Sequence, residues 1–189
     1  DAVARDAAAR RRGLAQRLAA LQPPAGMPWR VVDLGCGTGA NLRWLAPRLP
    51  GRQQWLVVDH DARLLRRWPA ALGLPPAATD AYLHWGGAGF ETTILRRRLD
   101  LARELETLPW HAAHLVTAAA LLDLAGAAWL ARLAAATMRS RTPLLIALSV
   151  DGRHRWHPAD AGDALVGTRF AAHQRRDKGL GPALGPRAV

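Results

Sequence analysis

The chain has 189 residues, a formal net charge of +11 and a hydrophobic content of 50%. This length is sufficient for one domain with a real core, and the apolar content argues against disorder. A single cysteine, Cys36, excludes a disulfide framework and is typical of a reducing cytosol. The N-terminus lacks the apolar stretch of a signal peptide, so a cytoplasmic protein is expected.

The most membrane-like stretch, 111–131, carries Asp123 and two histidines. It is only mildly apolar, and a buried strand followed by a helix explains it better than a membrane span.

The positive charge comes almost entirely from arginine, and Lys178 is the only lysine. Such an excess can serve a nucleic-acid surface. The arginines form scattered clusters, namely Arg10–Arg12, Arg66–Arg67, Arg96–Arg98 and Arg175–Arg176. Aromatic residues do not interleave with them, as a stacking platform for single strands would require. We therefore favour arginines on solvated faces, and nucleic-acid binding stays a less favoured alternative.

Apolar runs and helical spacing predict the elements in chain order. The predicted strands are 29–34, 54–59, 91–99, 113–118 and 142–150, of which 91–99 is expected near a sheet edge. The predicted helices are 2–21, 40–49, 62–68, 125–138 and about 162–174. The segment 69–91 is rich in Pro, Gly and Ala and is predicted to be mostly irregular.

Strands that alternate with helices predict an α/β fold. The expected architecture is a Rossmann-like, doubly wound, mostly parallel sheet with helices on both faces. We expect a single domain over 1–189. It divides into a leading helix at 1–25, a cofactor-binding core at 29–150, and a substrate-side loop, helix and Gly/Pro tail at 151–189.

The stretch VVDLGCGTG, residues 31–39, places three glycines directly after the first predicted strand. In a doubly wound sheet this turn lies at the ligand-binding end, where glycines let a ligand approach the backbone. Asp59 ends the second strand, at a position where a carboxylate can accept both hydroxyls of a ribose. A pyrophosphate would gain little from Asp33 so close by, whereas a ligand with an ammonium group would be stabilised by it.

These residues resemble motif I of the class I S-adenosylmethionine-dependent methyltransferases, and VVDHD, residues 57–61, resembles the acidic end of their second strand. The resemblance covers most of the chain. The segments LVTAAALLDL and HQRRDKGLGPALGP also resemble sequences of a bacterial subgroup of this family. It implies S-adenosyl-L-methionine as cofactor and methyl transfer as the reaction.

The resemblance also implies roles for individual residues. Asp33 would hold the amino end of the methionyl group, the backbone of Gly35, Gly37 and Gly39 would line the methionyl and ribose portion, and Asp59 would bind the ribose hydroxyls. His60 would lie against the adenine, Asp100 and Leu101 would receive the adenine amino group, and Thr117 and Ala118 would face the methyl donor. Strand-end capping is the alternative for Asp33 and Asp59, and helix capping for Asp100. Cys36 is interpreted as a small residue in a tight turn.

The catalytic group is not identified by the sequence. The weak candidates for a general base are His154, His157 and Asp123, and Asp123 could equally cap a helix. The two histidines near Asp160 lack the preset geometry of metal ligands, so no metal site is predicted. Lys178, with the neighbouring arginines, could clamp an anionic substrate or lie on a solvated turn.

The C-terminal segment contains nothing that reads as the final β-hairpin of class I methyltransferases. A fragment of a longer chain, a subgroup without the hairpin, and a hairpin supplied by a partner all remain open, and we favour the fragment.

The leading functional hypothesis is methylation of a small molecule. The alternatives are an RNA methyltransferase and a non-catalytic cofactor-binding protein. The oligomeric state is not predicted.

Overall fold

The computed structural model describes residues 17–18, 20–75, 82–147 and 156–185. Most of the predicted leading helix, the candidate base His154 and the end of the fifth predicted strand (148–150) lie outside the described residues. None of the helices in the described ranges has the length and apolarity needed to cross a membrane.

A six-stranded sheet organises the chain and confirms the predicted fold class. Its strands are β1 (Trp29–Leu34), β2 (Gly51–Asp59), β3 (Tyr82–Gly87), β4 (Phe90–Arg98), β5 (Leu115–Ala119) and β6 (Leu144–Ala147). Their order in the sheet is β3-β4-β2-β1-β5-β6, and every neighbouring pair is parallel except β3 and β4. Such an open parallel sheet binds ligands beyond the carboxyl ends of its strands.

The β3–β4 hairpin corrects one sequence prediction, because part of the supposedly irregular segment 69–91 forms β3. β4 is the second strand from the edge, which agrees with the expected position of 91–99 near a sheet edge. A two-residue turn joins the strands, and Gly89 adopts a φ of 82° in it. Trp85 and Phe90 pack edge to face with ring centroids 5.1 Å apart, which stabilises the pairing across the turn. The small residues around the turn do not show the alternation of apolar and polar side chains that predicts a strand.

Helices cover both faces of the sheet, as predicted. On one face lie α1 (Ala40–Leu45), α2 (Ala62–Arg66) and α3 (Trp68–Ala71), and on the other lie α4 (Leu101–Glu104) and α5 (Ala127–Ser140). The helix expected to stop before Pro69 breaks at Arg67 and restarts, because a proline in the first turn of a helix needs no hydrogen-bond donor. Each face has its own cluster of buried apolar side chains.

After the sheet, α6 (Asp163–Gln174) leads into a segment that we call the C-terminal strap, residues 177–185. Within residues 156–185 no strand continues the sheet, and the strap makes only isolated bridges. Its ends are tied to the start of α5: the Gly126 N–H donates to the Leu180 carbonyl at 3.0 Å, and the Leu184 N–H donates to the Ala125 carbonyl at 2.9 Å. The strap is therefore docked at the N-terminus of α5.

Gly126 is the tightest point of this docking. A Cβ at this position would lie 3.0 Å from the Pro182 oxygen and 3.1 Å from the Leu180 oxygen, both backbone atoms. Its φ of −85° suits any residue, so the glycine is needed for space alone.

We expect Gly126→Ala to displace the strap and to lower the free energy of unfolding by about 1–3 kcal/mol, the usual cost of overpacking. Hydrogen exchange of the Leu184 amide should accelerate. Gly162→Ala is the matched control, because Gly162 also precedes a helix but its added Cβ would meet only the movable side chain of Asp160 at 3.1 Å. Equal exchange at Leu184 in wild type and Gly126→Ala would contradict this account of the docking.

Candidate cofactor-binding site

A crevice of about 560 Å³ opens over the carboxyl ends of β1, β2, β4 and β5. It is lined by Gly35, Asp59, His60, Arg98, Leu99, Asp100, Leu101, Glu104, Leu121, Leu124, Lys178, Gly179 and Leu180. The crevice thus brings together five of the residues predicted to bind the cofactor (Gly35, Asp59, His60, Asp100 and Leu101).

The glycine-rich loop after β1 is bonded directly to the end of β2. The Gly37 N–H donates to Asp59 Oδ2 at 2.9 Å, and the Cys36 N–H donates to the Val58 carbonyl at 3.0 Å. The other oxygen of Asp59 accepts from the Asp61 N–H at 2.9 Å. The strand-end capping that the sequence left open for Asp59 is therefore real. Each carboxylate oxygen has a second acceptor site, so capping leaves capacity for a ligand hydroxyl.

The side chain of Trp68 contacts this loop, a role that the sequence analysis did not identify. Its indole N–H donates to the Gly37 carbonyl at 2.9 Å, and the residue is fully buried. Gly39 has a φ of 82°, and a Cβ there would lie 2.9 Å from the Trp68 ring. Gly39 is thus required by both its left-handed backbone and the indole beneath it.

Beneath the loop lies a buried polar group of Asp33, Asn41 and Thr117. The Asn41 side-chain amide donates to Asp33 Oδ1 at 2.9 Å and to Thr117 Oγ1 at 3.1 Å. Asp33 Oδ2 is buried and has no hydrogen-bond partner. Asn41, which the sequence analysis did not single out, orients the carboxyl group, and the second oxygen is left as an unused acceptor.

Burial raises the pKa of Asp33 to about 7. The hydrogen bond from Asn41 opposes this shift, and the negative charge of Asp59 adds to it. A carboxyl group that is neutral or charged at physiological pH according to its surroundings can respond to an incoming cation.

The predicted adenine end of the crevice contains His60, Asp100 and Leu101. The His60 side chain is 82% exposed, and its Nδ1 lies 3.5 Å from Asp59 Oδ1. Asp100 caps α4, because its carboxylate accepts from the Ala102 N–H at 2.9 Å. Glu104 accepts in return from the Asp100 N–H at 3.0 Å, so each of the two side chains accepts from a backbone N–H at the start of the helix. Asp100 therefore combines capping with a place in the crevice wall.

Other predicted residues lie away from the crevice surface. Thr117 and Ala118 are fully buried, so their predicted contact with the methyl donor stays a prediction. Asp123 lies on a 3₁₀ turn, Leu122–Leu124, and is buried, with its Oδ1 unpaired. His157 is exposed on the loop before α6.

Burial raises the pKa of the Cys36 thiol, which fits its interpretation as a turn residue.

Two cations line the crevice. Arg98 Nε donates to the His60 carbonyl at 3.2 Å, and Lys178 Nζ donates to Gln174 Oε1 at 2.8 Å. Lys178 reaches the crevice because the strap carries it there. Among the described residues, no group of three or more His, Cys, Asp or Glu is arranged to hold a metal ion.

Comparison with known proteins gives partial matches. No family model matches the chain. Over 62 residues it is 45% identical to the biotin biosynthesis bifunctional protein BioCD of Bordetella avium (strain 197N), which is 33% of this chain and 13% of that protein. A crystal structure of an S-adenosylmethionine-dependent methyltransferase from Mesorhizobium loti is similar, with 24% identity and a TM-score of 0.45 over 72% of this chain and 54% of that one. A likeness of this degree carries no functional argument, and the fold rests on the sheet described above.

Asp33 makes the stability of the protein depend on pH. In the unfolded chain its pKa is 3.8, below the value of about 7 in the folded state. The folded state therefore holds an extra proton between these values, and stability falls as the pH rises through that window. We expect Asp33→Asn, which has no such proton, to gain melting temperature over wild type as the pH is raised from about 5 to about 8. At 1.36 kcal/mol per pKa unit, the gain is at most a few kcal/mol.

Asp61→Asn is the control for this measurement, because the pKa of the exposed Asp61 is lowered to about 2 by its bonds to Arg63. Its melting temperature should follow that of wild type between about pH 5 and pH 8. A constant difference between Asp33→Asn and wild type over this range would contradict the raised pKa.

Proposed function

We propose that this chain is a class I S-adenosylmethionine-dependent methyltransferase that acts on a small molecule. The observation that carries the proposal is the bond from the Gly37 N–H to Asp59 Oδ2, beside a crevice that Gly35 of the glycine loop and Asp59 line. One ligand can then contact the bare backbone after β1 and the carboxylate at the end of β2. This is the arrangement that a nucleoside attached to an amino acid needs.

The residues present fit such a cofactor. Asp33 Oδ2 is a buried acceptor without a donor, and an ammonium group is a donor that would also neutralise the charge. Asp59 has acceptor capacity for ribose hydroxyls, and Leu99 and Leu101 offer apolar surface for a base. We propose that Asp33, Gly35, Gly37, Gly39, Asp59, His60, Asp100 and Leu101 form the binding site.

S-adenosyl-L-methionine supplies a methyl group that is already electrophilic because it is bonded to a sulfonium. The chain then needs to align an acceptor, exclude water and remove a proton where the acceptor loses one. Alignment alone can provide effective molarities of about 10⁵–10⁸ M. Asp123 and His157 remain candidates for the proton, and neither lines the crevice of the described structure.

The size and location of the crevice support a small acceptor. The loop after β5 and the strap both contribute walls, with Leu121 and Leu124 from the first and Leu180 from the second. Together with the strand ends they enclose a crevice of about 560 Å³, which suits a molecule that enters it better than a polymer that lies across it. The name of the protein that shares a 62-residue segment with this chain refers to the biosynthesis of biotin, a small molecule.

We expect the wild-type chain to bind S-adenosylhomocysteine with micromolar affinity in calorimetry. Asp59→Ala should weaken binding at least tenfold, or about 1.4 kcal/mol, because it removes the ribose acceptor. Asp61→Ala is the matched control, since it removes a helix cap two residues away that does not line the crevice. Equal affinity of wild type and Asp59→Ala would remove the role given to Asp59.

Calorimetry also distinguishes the proposed S-adenosylmethionine site from a dinucleotide site. NAD should not bind at millimolar concentration, because its pyrophosphate would meet the buried carboxyl group of Asp33 in place of a cation. Tighter binding of NAD than of S-adenosylhomocysteine would replace the proposed function by a dinucleotide-dependent one.

The acceptor class is tested with methyl-labelled S-adenosyl-L-methionine and a bacterial extract divided into small molecules, RNA and protein. We expect label in the small-molecule fraction only. RNA should bind weakly, with the salt dependence of nonspecific contacts. Label in purified RNA would favour the RNA methyltransferase, and cofactor binding without transfer to any fraction would favour a non-catalytic protein.

A further inference from the structure

Trp68 holds the glycine-rich loop through one polar contact and one steric contact. The indole N–H donates to the Gly37 carbonyl at 2.9 Å. The six-membered side of the ring lies where a Cβ on Gly39 would be, at 2.9 Å. Residues 37 and 39 are thus contacted by a side chain that does not line the crevice.

The two polar groups of Gly37 are held by different parts of the segment around β2. Its N–H donates to Asp59, the last residue of the strand, and its carbonyl accepts from Trp68, the first residue of α3. The N–H lies in the peptide before Gly37 and the carbonyl in the peptide after it, so a shift of the carbonyl reaches the bond to Asp59 through the Gly37 Cα. Trp68 is therefore connected to the ribose-binding carboxylate through a single residue.

Other contacts of the loop are backbone hydrogen bonds: the Gly39 N–H donates to the Cys36 carbonyl at 2.9 Å, and the Cys36 N–H donates to the Val58 carbonyl at 3.0 Å. Arg43 donates to the Thr38 carbonyl at 2.8 Å, but this side chain is only half-buried. Gly37 has a φ of 54°, and nothing lies within 4 Å of where its Cβ would be, so packing does not restrain it. A loop of glycines pays a large entropy cost on becoming ordered. A fixed indole removes that cost before a ligand arrives.

We propose that Trp68 is a positioning residue that preorganises the Gly35–Gly39 loop and Asp59 for the cofactor. The inference rests on the proposed function, since it concerns the same crevice. Trp68 does not line that crevice and acts only through Gly37 and Gly39.

The test replaces Trp68 by Phe, and in a second variant by 3-benzothienylalanine, which has sulfur in place of the indole N–H and nearly the same size. The matched control is Trp55→Phe. Trp55 is 1% exposed, belongs to the same core cluster and donates its N–H to Gln53 Oε1 at 2.8 Å. It lies away from the glycine loop, so a general loss of core packing appears in both Phe variants.

We expect Trp68→Phe to weaken S-adenosylhomocysteine binding about tenfold and the benzothienyl variant about three- to tenfold. Trp55→Phe should bind as wild type at a temperature where all variants are folded. Without ligand, hydrogen exchange of the Gly37 amide should be faster in both Trp68 variants and unchanged in Trp55→Phe. The benzothienyl variant keeps the core filled, so its result decides if Trp68→Phe fails to fold.

Wild-type affinity in the benzothienyl variant, or an equal loss in Trp55→Phe, would overturn the role of Trp68 while leaving the proposed function intact. Absence of binding by wild type would overturn the proposed function, and the positioning role with it.

Discussion

The bond from the Gly37 N–H to Asp59 Oδ2 is the contact on which the site depends. It joins the turn after β1 to the end of β2, two segments 22 residues apart in the chain. The parallel register makes the bond possible, because Leu34 pairs with Val58 and both strands end at the same level. One ligand can touch both segments only because the strands end together.

Near that bond lies a group that destabilises the folded state, the buried carboxyl group of Asp33. A fully buried carboxyl group with one unpaired oxygen costs free energy in the folded state. Asn41 compensates for part of the cost by donating to Asp33 and Thr117. Under the proposed function, the ammonium group of the cofactor would offset the remaining cost.

The sequence predicted the parts of the fold that have a regular pattern. β1 is a short apolar run between Pro28 and Gly35, and its bounds were predicted without error. The glycine loop and Asp59 were found because their spacing along the chain reflects the strand–turn–helix geometry directly. β3 was missed, because glycines and alanines around its turn leave only Leu83 and Trp85 to indicate a strand.

Residues that act through tertiary contacts could not be found in this way. Trp68 looks like a core residue of a short helix, and Asn41 looks like a polar residue in the first turn of another. Their bonds to Gly37 and Asp33 span 31 and 8 residues of sequence. Lys178 was noted as a possible anion ligand, but only the docking of the strap on Gly126 brings it to the crevice. A single sequence carries no periodic signal for such contacts.

The crevice is built from two parts that differ in how they are fixed. One side, where we propose that the cofactor binds, consists of strand ends and the glycine loop, held by the register of the sheet, by Trp68 and by Asn41. The opposite side consists of the turn after β5 and the strap, which is held by two backbone bonds and by the absence of a side chain at Gly126. Leu121 links the two parts, since a Cβ on Gly35 would lie 3.1 Å from its side chain. The bond between Gly37 and Asp59 involves no strap residue, so a change in the strap can alter the other side of the crevice without breaking it. Under the proposed function, specificity for the acceptor would depend on the segment whose sequence pattern is weakest, and cofactor binding on the segment whose pattern is strongest.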